Sequence, residues 1–526
     1  MILDLERDEL PDSLHAQVCI VGAGAVGLSM AVALARQGVD VLLLEAGGAQ
    51  LESANQAMHV GESTGHPFES IDVGRYRVLG GGTSFWGGQV VAFDDFVVGK
   101  RPWAGHSAWP LPAGELHRYV GLAYESLGLG AAVEQDAEVW RRLKLAPPAL
   151  GPEVDVLLTR WVPVRNLARH HARELKATGS LRVLLHANVV ALGLSTTRDC
   201  VSHLSVRTRG GKPLRVSGRQ VVLANGTLEM ARLLMHPLAD CSAAPWANSP
   251  WLGRPLVDHL DCTAAQLRLQ DGAKFHQLFD NIFLDGLKYF PRMRLPVAVQ
   301  REHGLVDCGA NFLYRTRFTE HLDVLKMFAR SLREGGMARS VWQVPRHLAA
   351  VLGTALPLAV RYFRDRRSFK PADAEVSLAL YCEQLPNSRS QLTLGDDQDA
   401  LGLRRLRVNW AIDGRELRTM KVFAQRIAQT LARNGLAEVD IDPLLLDESP
   451  DFLRNIHDAV HQMGTARMGE DAASGFVDAD MAVFGMANLY LGGAAVFPSS
   501  GFANPTLTAV ALGLRLADHL AAISRG

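Results

Sequence analysis

Cysteine is scarce in this chain: six in 526 residues, at positions 19, 200, 241, 262, 308 and 382. None forms a C-x-x-C pair, which excludes the usual zinc and iron–sulfur spacings and points to reduced thiols in a cytoplasmic protein. Neither sign of charge is in excess, with 55 Lys+Arg against 55 Asp+Glu, so the basic stripe of a nucleic-acid binder is missing. No unbroken apolar run reaches the eighteen or so residues that span a bilayer. The first fifteen residues, "MILDLERDELPDSLH", are acidic and lack the apolar core of a secretory signal. The nearest apolar stretch, "LAAVLGTALPLAV" at 348–360, contains Pro357 and is followed by Arg361, Arg364, Arg366, Arg367 and Lys370. It reads as either a buried helical hairpin with a solvated basic end or an amphipathic contact surface at 345–370 for a membrane or a protein partner.

What is abundant is apolar content, at 48%, and length, which exceeds a single core and implies two domains. Residues 17–21, "QVCIV", read as a buried strand, followed by "GAGAVGLSMAVALARQG" and "VDVLLLEAGG". That is strand, G-x-G-x-x-G, helix, strand, acid. Gly22 makes the tight turn, Gly24 admits a pyrophosphate to the backbone, and Gly27 lets the helix pack on the strand. The helix N-terminus with Ala25 offers free N–H groups to phosphate. Glu45, 21 residues after the middle glycine and followed by Ala46, stands where a carboxylate holds ribose hydroxyls and disfavours the 2′-phosphate of NADP. The motif alone leaves NAD and FAD open.

A second glycine loop, "RVLGGGTSFWGGQV" at 77–90, sets five glycines around Thr83, Ser84, Phe85 and Trp86. Converging backbone N–H groups suit an anion or a flat ring, and adjacent aromatics argue against a flexible linker. Gly81, Thr83, Ser84, Trp86 and Gly87 are therefore candidate cofactor contacts. A third turn, "VVLANGT" at 221–227, adds Ala224 and Gly226, and the strand residue Val189 joins them. Near the C-terminus, "HQMGTARMG" at 461–469 holds a histidine beside a glycine turn. Imidazole titrates near neutrality, so His461 suits a general base. His457 precedes it by four, which on a helix would bring two imidazoles together, but no acid stands at ligand spacing and no metal is expected. "NLYLGGAAVFPSSGFANPTLTAVALGLRLADHL" reads as strand, loop and helix, with Asn504 as N-cap before Pro505, and with Ala494 and Thr506 at the cofactor.

These segments resemble the glucose–methanol–choline (GMC) oxidoreductases. "VCIVGAGAVGLSMAVALARQGVDVLLLEAGG", "WLGRPLVDHL" at 251–260, "EQLPNSRSQLTL" at 383–394, "HQMGTARMG" and the closing segment follow the family's order. The resemblance implies FAD, oxidation of an alcohol, His461 as the residue handling the hydroxyl proton and Asn504 as its partner. The loop "GGTSFWGG" is most similar to bacterial and sugar-oxidising members. Where several of those carry a histidine bonded to the flavin, this chain has Phe85, so FAD is expected to be non-covalent. The family's frequent Asp-Gly-Ser before "VFP" is Gly493-Ala494-Ala495 here.

The expected fold is α/β, a Rossmann-like FAD-binding domain with an α+β substrate domain built on an antiparallel sheet. The FAD part would be discontinuous, from about 1–100, 155–262 and 455–526, the substrate part about 263–454, and 101–154 an ordered excursion near the cofactor entrance. "AEVSLALYC" and "LRVNWAI" read as strands of one antiparallel sheet. The expected substrate is a sugar, glycoside or polyol-like alcohol, with oxygen or another electron acceptor. A lyase on the same fold and oxidation of a non-sugar alcohol are the alternatives.

Overall fold

The computed structural model describes residues 1–130, 136–144, 146–148, 150–177, 179–240, 243–316, 344–368 and 374–525. Cys241, Lys370 and the whole stretch 320–343 lie outside them.

The apolar run "QVCIV" is buried on both faces because its strand, Ser13–Val21, sits inside an eight-stranded sheet. Its neighbours Val41–Leu44 and Pro213–Leu223 run parallel to it, and Leu489–Leu491 runs parallel to Pro213–Leu223. The N-terminal and C-terminal thirds of the chain thus meet in one sheet. The helices Ala25–Arg36 and Pro505–Arg525 pack together over it. They approach so closely that a Cβ at Gly513 would stand 2.8 Å from Val26. The closing helix is long and apolar enough to cross a membrane, a feature that a search for unbroken apolar runs passes over. It is mostly buried inside the protein, where it serves as a core helix.

The second layer is a nine-stranded sheet whose strands pair antiparallel. Asp155–Trp161 belongs to it, so the stretch 155–262 is divided between the two sheets. "AEVSLALYC" forms Glu375–Cys382 in this sheet. "LRVNWAI" does not join it. Its strand, Arg404–Asn409, pairs with Gln391–Gln398 and Glu62–Ser63 in a separate three-stranded sheet. Fully buried Trp410 follows that strand, and its indole donates to Gln384 at 2.9 Å. The two sheets therefore belong to one core, which periodicity alone could not divide.

The excursion beginning at 101 is held from both sides. Trp109 donates to Ser499 at 2.8 Å, and Tyr119 donates to Asp518 of the closing helix at 3.1 Å. The helix Val344–Asp365 continues through Pro357. Its described side chains are exposed or half-buried, with Phe363 81% exposed, which does not fit a buried hairpin.

Candidate active site

One cavity of about 670 Å³ is lined by both glycine loops, the third turn, His461 and Asn504. Gly22 turns the chain at φ +101, and a Cβ there would meet the Ala224 carbonyl oxygen at 2.6 Å. Gly24 is different: an added Cβ would touch nothing within 4 Å, because the position faces the cavity. Gly27 does not line the cavity. A Cβ there would stand 1.9 Å from the Gly22 oxygen, so this glycine serves the packing of helix on turn. Glu45 accepts from the Ala23 N–H at 3.0 Å and the Gly47 N–H at 2.9 Å. Burial pushes its carboxyl up to about 7.

The second loop docks directly on the first. Gly80 N–H donates to Ala23 at 3.0 Å, and a Cβ on Gly81 would lie 2.9 Å from the Gly24 Cα. Thr83 is buried and accepts from Leu167 N–H at 3.2 Å. Ser84 is turned away from the cavity and accepts from Asn166 at 3.1 Å. It is a structural residue of the loop rather than a lining one, because its hydroxyl is needed to anchor that turn. Trp86, Gly87, Ala25, Ala46, Val189, Ala224, Gly226, Ala494 and Thr506 all line the cavity. Phe85 lines it too, packed against Tyr76 with the ring centroids 4.4 Å apart and the planes tilted by 39°.

The sequence reading missed a group of charges in this wall. Glu229 pairs with Arg77 at 2.9 Å, Arg75 at 3.3 Å and Arg232 at 3.3 Å, and Arg232 also meets Asp399 at 2.7 Å. Burial alone would raise the Glu229 carboxyl, but the surrounding guanidinium groups hold it well below the usual carboxylate range. Arg77 opens the second glycine loop and Arg75 stands two residues before it, and that adjacency was their only signal.

At the other end of the cavity two of the quoted segments pair. Leu256–Val257 of "WLGRPLVDHL" forms a short antiparallel ladder with Met463–Gly464 of "HQMGTARMG". Asp258 then clamps the histidine loop, accepting from the N–H groups of His259 at 2.7 Å, Ala459 at 3.0 Å and His461 at 2.9 Å. Val460, between two of those amides, has φ +60, a left-handed conformation that is costly for a β-branched residue. The turn aims its flanking N–H groups into one concavity, and the carboxylate fills it. His457 lies in a strand pairing with Asp261, not on a helix with His461, so the i, i+4 pair does not form. Among the described residues no cluster of three or more potential metal ligands is present.

Asn504 precedes the closing helix as the N-cap reading has it, but its side-chain hydrogen bonds run elsewhere. Its amide nitrogen donates to His461 Nε2 at 3.0 Å, and its oxygen accepts from Arg292 Nη1 at 3.1 Å. On the far side of the His461 ring, His259 Nδ1 lies 2.9 Å from His461 Nδ1. Burial, then the neighbouring His259 and Arg292, hold the His461 imidazole well below its ordinary pKa. His259 is lowered to about 4, chiefly by burial. The pair is therefore neutral at physiological pH, with a nitrogen lone pair at the cavity wall. Such a pair can take a proton from an alcohol while the Asn504 N–H supports its oxygen. His259 lies in the quoted segment "WLGRPLVDHL" but was given no role there, and Arg292 lies in none of the quoted segments.

Comparison with known proteins bears on both ends of this cavity. Residues 15–65 match a family model described as FAD binding domain, and residues 386–513 match one described as GMC oxidoreductase. The C-glycoside 3-oxidase of Microbacterium trichothecenolyticum is 32% identical over 149 residues, 28% of this chain and 27% of that protein. The fructose dehydrogenase large subunit of Gluconobacter japonicus is 28% identical over 139 residues, 26% of this chain and 24% of that protein. The matches thus span about a quarter of the length of these curated relatives. Over nearly the whole chain the fold is that of pyridoxine 4-oxidase from Mesorbium loti, with a TM-score of 0.57, 18% identity, and coverage of 96% of this chain and 99% of that one. The cofactor is FAD, and the cavity fits it: the bare Gly24 leaves room at the helix N-terminus, and Glu45 closes the strand beside it.

Proposed function

We propose that this chain is a GMC oxidoreductase that oxidises the CH–OH group of a sugar, glycoside or polyol-like alcohol, using FAD held without a covalent bond. The observation that carries this reading is the His461–Asn504 pair, bonded at 3.0 Å and facing the same cavity as both glycine loops. FAD, when bound, supplies the hydride acceptor. Gly24, Glu45 and the N-terminus of Ala25–Arg36 would hold its diphosphate and ribose. Ala494, Thr506 and Trp86 would line its ring system.

The alcohol oxygen enters from the cavity and displaces the direct Asn504–His461 hydrogen bond, so that both groups turn to it. Its O–H donates to His461 Nε2, and its lone pair accepts from the Asn504 amide. The proton moves to an imidazole that burial keeps neutral. Asp258 holds the backbone of His461 in position through this transfer.

Two features support a sugar-like substrate. Both curated relatives are named for glycosides or sugars. A second cavity of about 250 Å³ shares the lining residue Gln89 with the first and is lined by Trp161 and Phe290 together with Asn281 and Asn311. Flat aromatic faces beside amide groups suit a ring that has an apolar face and hydroxyl edges. The described cysteines are free thiols, and we assign the enzyme to the cytoplasm on that basis.

The test is anaerobic mixing of the FAD-loaded protein with a panel of sugars, glycosides, polyols and simple alcohols while the flavin absorbance is followed. Bleaching by the sugar group is the expected result. Bleaching by simple or aryl alcohols alone would remove the sugar assignment. No bleaching by any of them, in a protein that dithionite reduces, would remove alcohol oxidation. Admitting oxygen or a dye afterwards separates oxidase from dehydrogenase.

A further inference from the structure

Arg292 lies on the strand Leu287–Arg294 and is only 4% exposed. Among the described residues it makes no ion pair, and its Nε meets no acceptor. It is sandwiched instead against the rings of Tyr381 at 4.4 Å and Phe502 at 5.4 Å, with the Asn504 oxygen at 3.1 Å. A buried cation without a carboxylate is expensive to keep. Here it stands two hydrogen bonds from the nitrogen assigned as the base.

The chemistry of the two ends sets the direction of the whole chain of bonds. A guanidinium can only donate, so the Asn504 oxygen must face Arg292 and its NH₂ must face His461. His461 Nε2 must then accept. The single proton of the neutral ring sits on Nδ1 and points at His259 Nδ1, which accepts it. The His259 proton is left on Nε2, 3.3 Å from the Ser500 carbonyl oxygen, which can only accept. Every bond from Arg292 to Ser500 runs the same way, and none of them sets donor against donor or acceptor against acceptor.

We propose that Arg292 is a positioning residue for alcohol oxidation: through Asn504 it selects the His461 tautomer whose Nε2 lone pair faces the cavity, and it sets a fixed positive charge behind the amide that receives the substrate oxygen. This rests on the reading of His461 as the base. The other charged or titratable groups around His461 are few. Asp258 and Asp458 face its loop, His259 faces its ring, and Asp261 and Tyr381, on other strands of the same sheet, act on Arg292. Glu383 and Asp307 lie deeper, behind His259 and Arg292. Arg292 is the cation among these groups that acts on His461.

The experiment uses FAD-loaded protein labelled with ¹⁵N at histidine, with long-range ¹H–¹⁵N spectra recorded between about pH 5 and 8 and His461 assigned by its loss in His461→Ala. Wild type should show Nδ1 protonated and Nε2 bare throughout the neutral range. Arg292→Met should mix the tautomers and move the His461 titration to higher pH. In parallel, Arg292→Met should slow anaerobic flavin reduction by about tenfold or more, on the scale of a lost charged hydrogen bond, and move the acid limb of that rate upward. Arg292→Lys, which keeps the charge, should restore the position of the limb. If Arg292→Met fails to load FAD, Arg292→Gln, which donates but carries no charge, must still raise the titration. A His461 spectrum and titration indifferent to loss of the charge would overturn the proposal. The spectra need no substrate, so failure of the alcohol-oxidation reading would be seen separately, as absence of bleaching in wild type.

Discussion

The imidazoles of His259 and His461 meet nitrogen to nitrogen at 2.9 Å, so one proton serves both atoms and neither ring can become cationic without facing the other. Both rings are held below their ordinary pKa. The consequence for pH is specific. The neutral, active form of His461 persists as pH falls through 6.5, the ordinary histidine value. Flavin reduction by the substrate should hold its plateau from about pH 8 to about pH 6 and fail only below that. An acid limb at or above the ordinary histidine pKa would contradict this. The same rings contribute stability that is full above the unfolded histidine pKa and is lost as pH falls toward about 4 for His259. Glu45 and Asp261, raised to about 7 and about 6, act in the opposite direction.

Removing the imidazole of His461 should leave the cofactor in place, because the glycine loops make their contacts without it. We expect His461→Ala to purify with flavin and to reduce it roughly 100-fold more slowly or worse, the usual scale for a lost general base. An unchanged rate in stopped flow would remove His461 from the chemistry.

Asp258 holds three backbone N–H groups and, through two of them, the left-handed Val460. In Asp258→Ala these donors are buried without an acceptor, at a cost of about 3 kcal/mol or more. Thermal melts should show a loss of several degrees. Hydrogen exchange should show faster opening at 459–461 than at the strand Ser13–Val21. Equal protection in both places would mean that another contact holds the loop.

Two glycines of one motif should fail differently. Gly24→Ala meets no atom in the protein, so the flavin-free melt should stay within a few degrees of wild type. FAD affinity should nevertheless fall about tenfold or more, roughly 1.4 kcal/mol, because the methyl enters the cavity. Gly27→Ala drives a Cβ to 1.9 Å from the Gly22 oxygen and should lower the melting temperature even without flavin. Calorimetry with FAD titration separates the two, and equal behaviour would refute the division of roles.

Phe85 offers no nucleophile to the flavin. Acid or heat precipitation should leave FAD in the supernatant, read by its absorbance and fluorescence. Flavin that pellets with the chain would show a covalent link to some other residue.

Much of the cofactor half was legible in the chain because its determinants are contiguous. A strand, a tight turn, a helix and an acid follow one another within 29 residues, from 17 to 45, and each is defined by the spacing of residues in the same segment. The closing strand, loop and helix were legible for the same reason. His461 and Asn504 were named separately, each from its own segment and its resemblance, but their 3.0 Å contact spans 43 residues and exists only through the fold. The roles of Gly27 and Ser84 also needed the structure, since a motif says which residues recur and not which atoms face the cavity.

The sequence by itself determined that this protein binds a dinucleotide and that a histidine and an asparagine near the C-terminus are its candidate chemistry. Only the tertiary structure decided that "AEVSLALYC" and "LRVNWAI" go to different sheets, that Arg292 from the middle of the chain lies against Asn504, and that His259 shares a proton with His461. The physical reason is that local spacing encodes turns and periodic faces. The hydrogen-bond partner of a buried polar group is chosen by whichever strands the whole core brings together.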